Sequence, residues 1–507
     1  MKSRFSRKCT AFLLLLATLV GTALPLLSSC DSTPPATTEN LTETEATTTE
    51  EELVLKPYDE ETWEKPNVAT GVIPENKNLV LEMEKIPIAN DSMTEAELRA
   101  IILRFAELQL TFAYTPDLRD REDYGYYVSA IADSYGADYN SGTLDNCKIM
   151  YYEEKYYGGI PYMGQTHGSV YRWLPLYDAE TGLVDWEPII NTRRINYKDK
   201  WPDGGSEYFG NTCSSNVFWA FARVTNKLGN CWTAGWGTKY GYVKVGDFDL
   251  PESGQISSNS KDVTQKNGRQ KMYRAYALVK GADGLVHTGH AIMAVKDAHV
   301  VYNTNGTING DESYIIFCEQ KASFLTASPK DGGVDLSYPL NSNGVTYRIQ
   351  GNWPGTVANG KLKEMKWTFT YLYEHGWLPF TIPELVGQDP IEKATATMGH
   401  NSDTIKLSAL KLKTVTSNYY ISDVQFTVLD KKGNKLFNAM YAEGNVGANG
   451  LFSLELSNAL FNNPFYSNKA RVNLALSEYA DKDCTLIIDC RVSTGELIRM
   501  FEGTLTQ

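Results

Sequence analysis

Cysteine is scarce in this sequence, with 8 in 507 residues. Beyond Cys9 and Cys30 there remain Cys147, Cys213, Cys231, Cys318, Cys484 and Cys490. These are too few and too irregularly spaced for a disulfide framework in an exported chain of this size. If Cys484 to Cys490 is one strand, its ends lie about 20 Å apart, too far for a bond between them. The 6 histidines and the cysteines show no close ligand spacing, so neither a metal site nor a cofactor is expected. Positive charge is also short. The formal net charge is −13 and no basic cluster occurs, which argues against nucleic acid as a partner. Past the N-terminal segment, no apolar run is long enough to cross a bilayer.

What is present begins with an address. Lys2, Arg4, Arg7 and Lys8 precede an apolar stretch from Ala11 to Leu26, too short and wrongly flanked for a stable span, which predicts a secretory signal. The stretch ends Leu27-Ser28-Ser29-Cys30, which looks like a bacterial lipobox. That resemblance implies removal of residues 1–29 and attachment of diacylglycerol to the Cys30 sulfur. The protein would then sit on the bacterial cell surface, held to the membrane by lipid. Residues 30–75 are expected to form a disordered tether, because the stretch from 31 to about 60 is of low complexity, with a Thr/Glu run through Glu52. The low-complexity part alone, ~30 residues from 31 to about 60, has an r.m.s. reach of about 30 Å and a stretched limit of about 100 Å.

The rest of the chain is too long for one ordinary domain and predicts two, over 76–387 and 390–507. A helix is expected near Thr94 to Ala113. Thr94 and Glu97 fit a capping box, and Leu98, Ile101, Ile102, Phe105, Leu108 and Phe112 make an apolar stripe. A second helix is expected from about Asp123 to Tyr135, and another around Lys363 to His375. Tyr156-Tyr157-Gly158-Gly159-Ile160-Pro161-Tyr162 lets either another backbone or a ligand approach the paired glycines closely. Tyr157, Gly158, Gly159 and Tyr162 are therefore candidate groove residues, although aromatics in such a segment more often pack in a core. Two prolines, Pro379 and Pro383, precede the boundary near 386–392. Beyond it, short runs such as Tyr419 to Leu429, Lys435 to Tyr441 and Cys484 to Val492 read as strands of an all-β sandwich. That half is read as an Ig-like spacer or a binding module. A chain ending near Gly387 is expected to fold alone.

The chemistry gathers around Asn211-Thr212-Cys213-Ser214-Ser215. Val217, Phe221, Val224 and Leu228 come next at helical spacing, and Gly229 supplies a stop. Asn211 or Thr212 can cap this helix, which puts Cys213 in its first turn. There the helix dipole and unpaired N–H groups favour thiolate, the form that attacks carbonyls. A small buried cysteine that merely packs is the plainer alternative. Downstream, His287-Thr288-Gly289-His290-Ala291-Ile292-Met293-Ala294-Val295 reads as one strand. His290, Ile292 and Ala294 would share one face, with His287 on the other. A later strand, Ser313 to Gln320, ends in a carboxylate and an amide.

A cysteine opening a helix, a histidine opening a strand, then a polar residue on a neighbouring strand resembles the papain-like cell-wall hydrolases of the NlpC and CHAP type. The resemblance covers about 200–325. It implies an α+β fold in which a helix packs on an antiparallel sheet, here followed by the all-β sandwich. It also implies Cys213 as nucleophile, His290 as base and Glu319 as the residue orienting the imidazole, with Gln320 as the alternative. Lys280-Gly281-Ala282-Asp283-Gly284-Leu285 is similar to the turn before the histidine strand in those families, with extra residues. One departure bears on substrate. The Asp-Cys-Ser-Gly pattern is Thr212-Cys213-Ser214-Ser215 here, which loses an acid that in those families helps recognise a free amine. The expected function is cleavage of amide bonds in cell-wall peptide or a surface protein by a monomer. The alternative is a non-catalytic surface-binding lipoprotein.

Overall fold

A computed structural model describes residues 78–117, 125–128, 148–151, 156–160, 169–185, 210–228, 233–237, 241–256, 260–320, 347–349, 351–354, 357–358, 361–362, 365–441, 446–448, 450–457 and 475–507. The signal and lipidation expectations at 1–29 and Cys30, the tether at 30–75, and Tyr162 lie outside these residues. The fold is mixed α+β with predominantly antiparallel sheets.

The first half is built on local signals that are strong. Helix α1 (Leu79–Glu84) starts at Asn78, whose side chain accepts from the Leu81 N–H. Helix α2 (Glu95–Thr111) opens with the reciprocal Thr94–Glu97 capping box and buries Leu98, Ile101, Ile102, Phe105 and Leu108. Capping of this kind contributes about 1 kcal/mol. Helix α3 (Cys213–Phe221) is buried along its whole length, including the polar Ser214, Ser215 and Asn216 of its first turn. Gln109 of α2 fixes it sideways by donating to the Asn216 backbone oxygen at 3.2 Å and side-chain oxygen at 3.0 Å. Helices α4 (Ser260–Asn267), α5 (Arg269–Tyr276) and α6 (Phe369–His375) pack together.

The sheet that receives α3 contains seven strands: β1 (Val243–Lys244), β2 (Gly284–His287), β3 (His290–Ala294), β4 (Tyr314–Gln320), β5 (Gly351–Asn352), β6 (Lys366–Thr368) and β7 (Leu378–Thr381). Their order is β5-β4-β3-β2-β7-β1, with β6 also on β4, and every pairing is antiparallel. Helix α3 packs on β3 and β4 and on α2, so the centre of the sheet is covered by the cysteine helix.

Beyond the 3-10 turn Pro383–Val386, the chain forms two sheets around a second apolar core running from Ala394 to Leu505. One has four strands and the other five, centred on Thr485–Val492 and Ile421–Leu429. The two cores are not independent. Met440 is buried in the first core and Tyr420 packs against that core, so the two halves share a packed boundary.

Three local expectations give way to tertiary pairing. Gly125–Val128 is a strand paired with Lys148–Tyr151, not part of a helix. The helix expected from Lys363 begins only at Phe369, because Lys366–Thr368 pairs with β4 and Thr368 then caps α6. Helix α3 ends at Phe221, although Val224 and Leu228 stay buried. There the backbone oxygens of Ala222 and Asn226 accept from Ser493 Oγ at 2.7 Å and the Gly450 N–H at 2.8 Å.

Candidate active site

Cys213 is the first residue of α3 because Thr212 caps it. Thr212 has extended backbone angles, φ −103 and ψ 175. Its Oγ1 accepts from the Ser215 N–H at 3.2 Å, and Ser215 Oγ accepts from the Thr212 N–H at 2.6 Å. This is a capping box with serine in place of the usual acid or glutamine. Asn211, the other candidate cap, is fully buried, and its Nδ2 and Oδ1 make no hydrogen bond.

The histidine segment folds differently from a single strand. Thr288 and Gly289 form a tight turn, with Gly289 at φ +87, and His287 pairs directly with His290 across the β2–β3 hairpin. Facing residues on neighbouring antiparallel strands share a face. His287 therefore lies on the same side as His290, opposite to the sequence reading, with ring centroids 6.0 Å apart. The single-strand reading failed because alternation does not reveal a reversal. The turn depends on Gly289 adopting a left-handed φ, which glycine does at no steric cost.

On β4, Met293 faces Cys318, so Glu319 shares the face of Ile292 and stands diagonal to His290. His290 Nε2 and Glu319 Oε2 are 2.6 Å apart. Gln320 points to the opposite face, where its Nε2 donates to the Ile160 oxygen at 2.6 Å. The carboxylate is thus the group at the imidazole, and the amide is engaged elsewhere. His299 is exposed, stacked on Tyr314 at 4.6 Å, and takes no part.

With Nε2 directed at Glu319, Nδ1 is the ring nitrogen left for the thiol. Burial opposes ionisation of Cys213. The His290 charge and its hydrogen bond outweigh this, helped by the Ala291 and Ser214 N–H groups, and hold the thiol below its ordinary range. Burial also works against the His290 cation, but Cys213 and Glu319 together push its pKa up. Both shifts favour one state, a thiolate–imidazolium pair backed by a carboxylate. Cys318, one strand over, shows the contrast. It is buried with no base, and burial and the nearby Glu319 charge push its thiol up.

Trp377 closes the site and was not singled out from sequence. It is 2% exposed and meets His287 edge-on at 4.2 Å and His290 at 5.8 Å. No sequence signal pointed to it, because its relation to His290 depends on β7 pairing beside β2.

The glycine pair has a structural use. A Cβ on Gly159 would stand 2.3 Å from the Leu110 oxygen, and its N–H donates to the Phe112 oxygen at 2.8 Å. The close approach is by the end of α2, so packing alone accounts for glycine at this position. Gly158 and Tyr157 belong to a strand, Tyr156–Gly158, paired through its backbone with 113–114. A cavity of about 650 Å³ lined by Arg99, Lys280, Asp283, Thr381 and Glu384 includes none of Cys213, His290 and Glu319. It adjoins Asp283, at the end of β2 remote from His287.

Among the described residues no group of His, Cys, Asp and Glu is arranged to hold a metal, and no helix is long and apolar enough to cross a membrane. The chain matches no protein-family model and no curated protein.

Proposed function

We propose that this protein is a cysteine hydrolase of amide bonds with a papain-like first domain of the NlpC or CHAP type and a C-terminal β-sandwich. The observation that carries the reading is His290, bonded at 2.6 Å to Glu319, with the helix-opening Cys213 thiol close enough for the imidazole to favour its ionisation. In this mechanism the Cys213 sulfur attacks the amide carbon and the carbonyl oxygen becomes an oxyanion. The Cys213 N–H, unpaired at the helix start, is one donor to it. The second is assigned to Asn211 Nδ2, a buried amide with no other bond. His290 Nδ1 then gives its proton to the departing amine, which leaves a thioester on Cys213. Water, deprotonated by His290, attacks the thioester and releases the acid. Glu319 keeps the proton on Nε2 and the ring in place throughout.

The substrate class proposed is cell-wall peptide or a surface protein, reached by an enzyme tethered through lipid on Cys30 and acting as a monomer. Incubating the full chain with peptidoglycan fragments and with peptides, and weighing the products, tests this. New amine and carboxyl ends should appear, and Cys213→Ala should abolish them. A second reading, a non-catalytic surface-binding protein, draws on the burial of the site, since Cys213, His290 and Glu319 are only 5%, 6% and 7% exposed. If the native chain resists alkylation at Cys213 and cleaves none of these substrates, the binding reading replaces the catalytic one.

A further inference from the structure

We propose that the C-terminal domain is part of the catalytic unit, with Tyr420 and Ser493 acting as positioning residues that hold the cysteine helix in register with His290. Three observations converge on one side of α3. The Tyr420 ring meets Phe218 at 5.1 Å and 80°, and Trp219 at 5.3 Å and 86°. Ser493 Oγ donates to the Ala222 oxygen at 2.7 Å, at the helix C-cap. The Ser493 N–H in turn donates to the Tyr420 oxygen at 2.8 Å, so the two contacts are one rigid piece. A third tie, from the Gly450 N–H to the Asn226 oxygen at 2.8 Å, holds the chain leaving the helix.

The geometry of the Tyr420 contact matters more than its strength. Consecutive helix residues point about 100° apart, so one ring wedged against both Phe218 and Trp219 resists rotation of α3 about its axis. Ser493 meets the helix at its far end and resists sliding along that axis. Cys213 lies at the other end of the same short helix, opposite His290 and Glu319, which belong to the sheet on which α3 packs. Rotating the helix by about 10° moves a side-chain atom near its surface by roughly 1 Å, enough to cost a reacting pair up to about 100-fold. The sheet therefore holds the base, and the C-terminal domain helps to hold the nucleophile.

This inference rests on the reading of Cys213 and His290 as an ion pair, and the test separates the two. In the full chain, the rate of Cys213 alkylation by iodoacetamide is measured from pH 5 to 10 by mass spectrometry of the labelled peptide, with folding followed by near-ultraviolet circular dichroism. Tyr420→Ala should stay folded and lose about tenfold in rate at pH 6, as the thiol moves back toward free-thiol behaviour. Tyr420→Phe, which keeps the ring, should match the parent. Ser493→Ala should lower the rate several-fold. A folded Tyr420→Ala with the parent's pH profile overturns the proposal. Should Tyr420→Ala not fold, Ser493→Ala decides: a shifted profile supports the proposal and an unchanged one overturns it. A parent chain whose Cys213 reacts like a free thiol and ignores His290→Ala sinks the active-site reading instead.

Discussion

Replacing Glu319 with glutamine tests the coupling at the centre of the site. The side chain keeps its shape and can still accept from His290 Nε2, so the ring stays in place while the charge is removed. Both partners are nearly buried, with side chains 7% and 8% exposed, so solvent screens the loss little. A hydrogen bond to a charged acceptor is worth about 1 to 1.5 kcal/mol more than one to a neutral acceptor. That difference is about one pKa unit on the imidazole. Because Glu319 helps raise the His290 pKa, its loss lowers that pKa. Proton transfer from Cys213 to His290 becomes less favourable by the same amount, so the ratio of the thiolate–imidazolium pair to the neutral pair falls about five- to tenfold. Iodoacetamide should then label Cys213 more slowly at pH 6, by up to about tenfold. The alkaline limb of turnover, set by deprotonation of His290, should move to lower pH by about one unit. The stability that Glu319 gives through this raised pKa is fully present below the ordinary imidazole pKa of about 6.5 and is lost as pH rises through the folded value. Thermal unfolding of Glu319→Gln should therefore differ from the parent at pH 6 and converge with it at high pH. An unchanged alkylation rate together with an unchanged alkaline limb would refute the coupling.

Cys213 should be alkylated before Cys318 and Cys490, whose burial raises their thiols, with an apparent pKa below the ~8.5 of a free thiol; His290→Ala should erase the difference and His299→Ala should leave it. Asn211→Ala should lower turnover by about 100-fold while sparing alkylation, and equal loss of both would show that Asn211 supports the fold rather than the oxyanion. A chain ending near Gly387 should aggregate or melt well below the full chain, since it uncovers Phe218 and Trp219 where Tyr420 packs; a soluble truncation with the parent's melting temperature would show that the boundary is not shared. Cys30→Ala should prevent lipid attachment and weaken membrane retention, and an unmodified Cys30 in the mature protein, found by mass spectrometry, would reject the anchor.

By itself the sequence determined what depends on neighbours in the chain. The Thr94–Glu97 box and the apolar stripe behind it specify α2, because capping and helical periodicity act within a few residues. The same holds for Cys213 at the start of α3, where Thr212 and Ser215 satisfy each other's backbone. The alternation from Tyr419 to Leu429 and Lys435 to Tyr441 likewise matches strands Ile421–Leu429 and Lys435–Tyr441. Tertiary structure decided what depends on pairing at a distance. Whether Glu319 or Gln320 meets the imidazole is a question of register, since a shift of one residue exchanges the two faces; the β3–β4 pairing of Met293 with Cys318 answers it for the carboxylate. The hairpin at Thr288-Gly289, which brings His287 and His290 to one face, is local in the chain but invisible to alternation, whereas Trp377 reaches both through the pairing of β7 with β2, strands far apart in sequence. The early end of α3 has the same origin. Its apolar spacing continues to Leu228, but Ser493 and Gly450, more than 200 residues onward, take the backbone oxygens of Ala222 and Asn226. Local pattern carries no trace of a hydrogen-bond donor arriving from another domain.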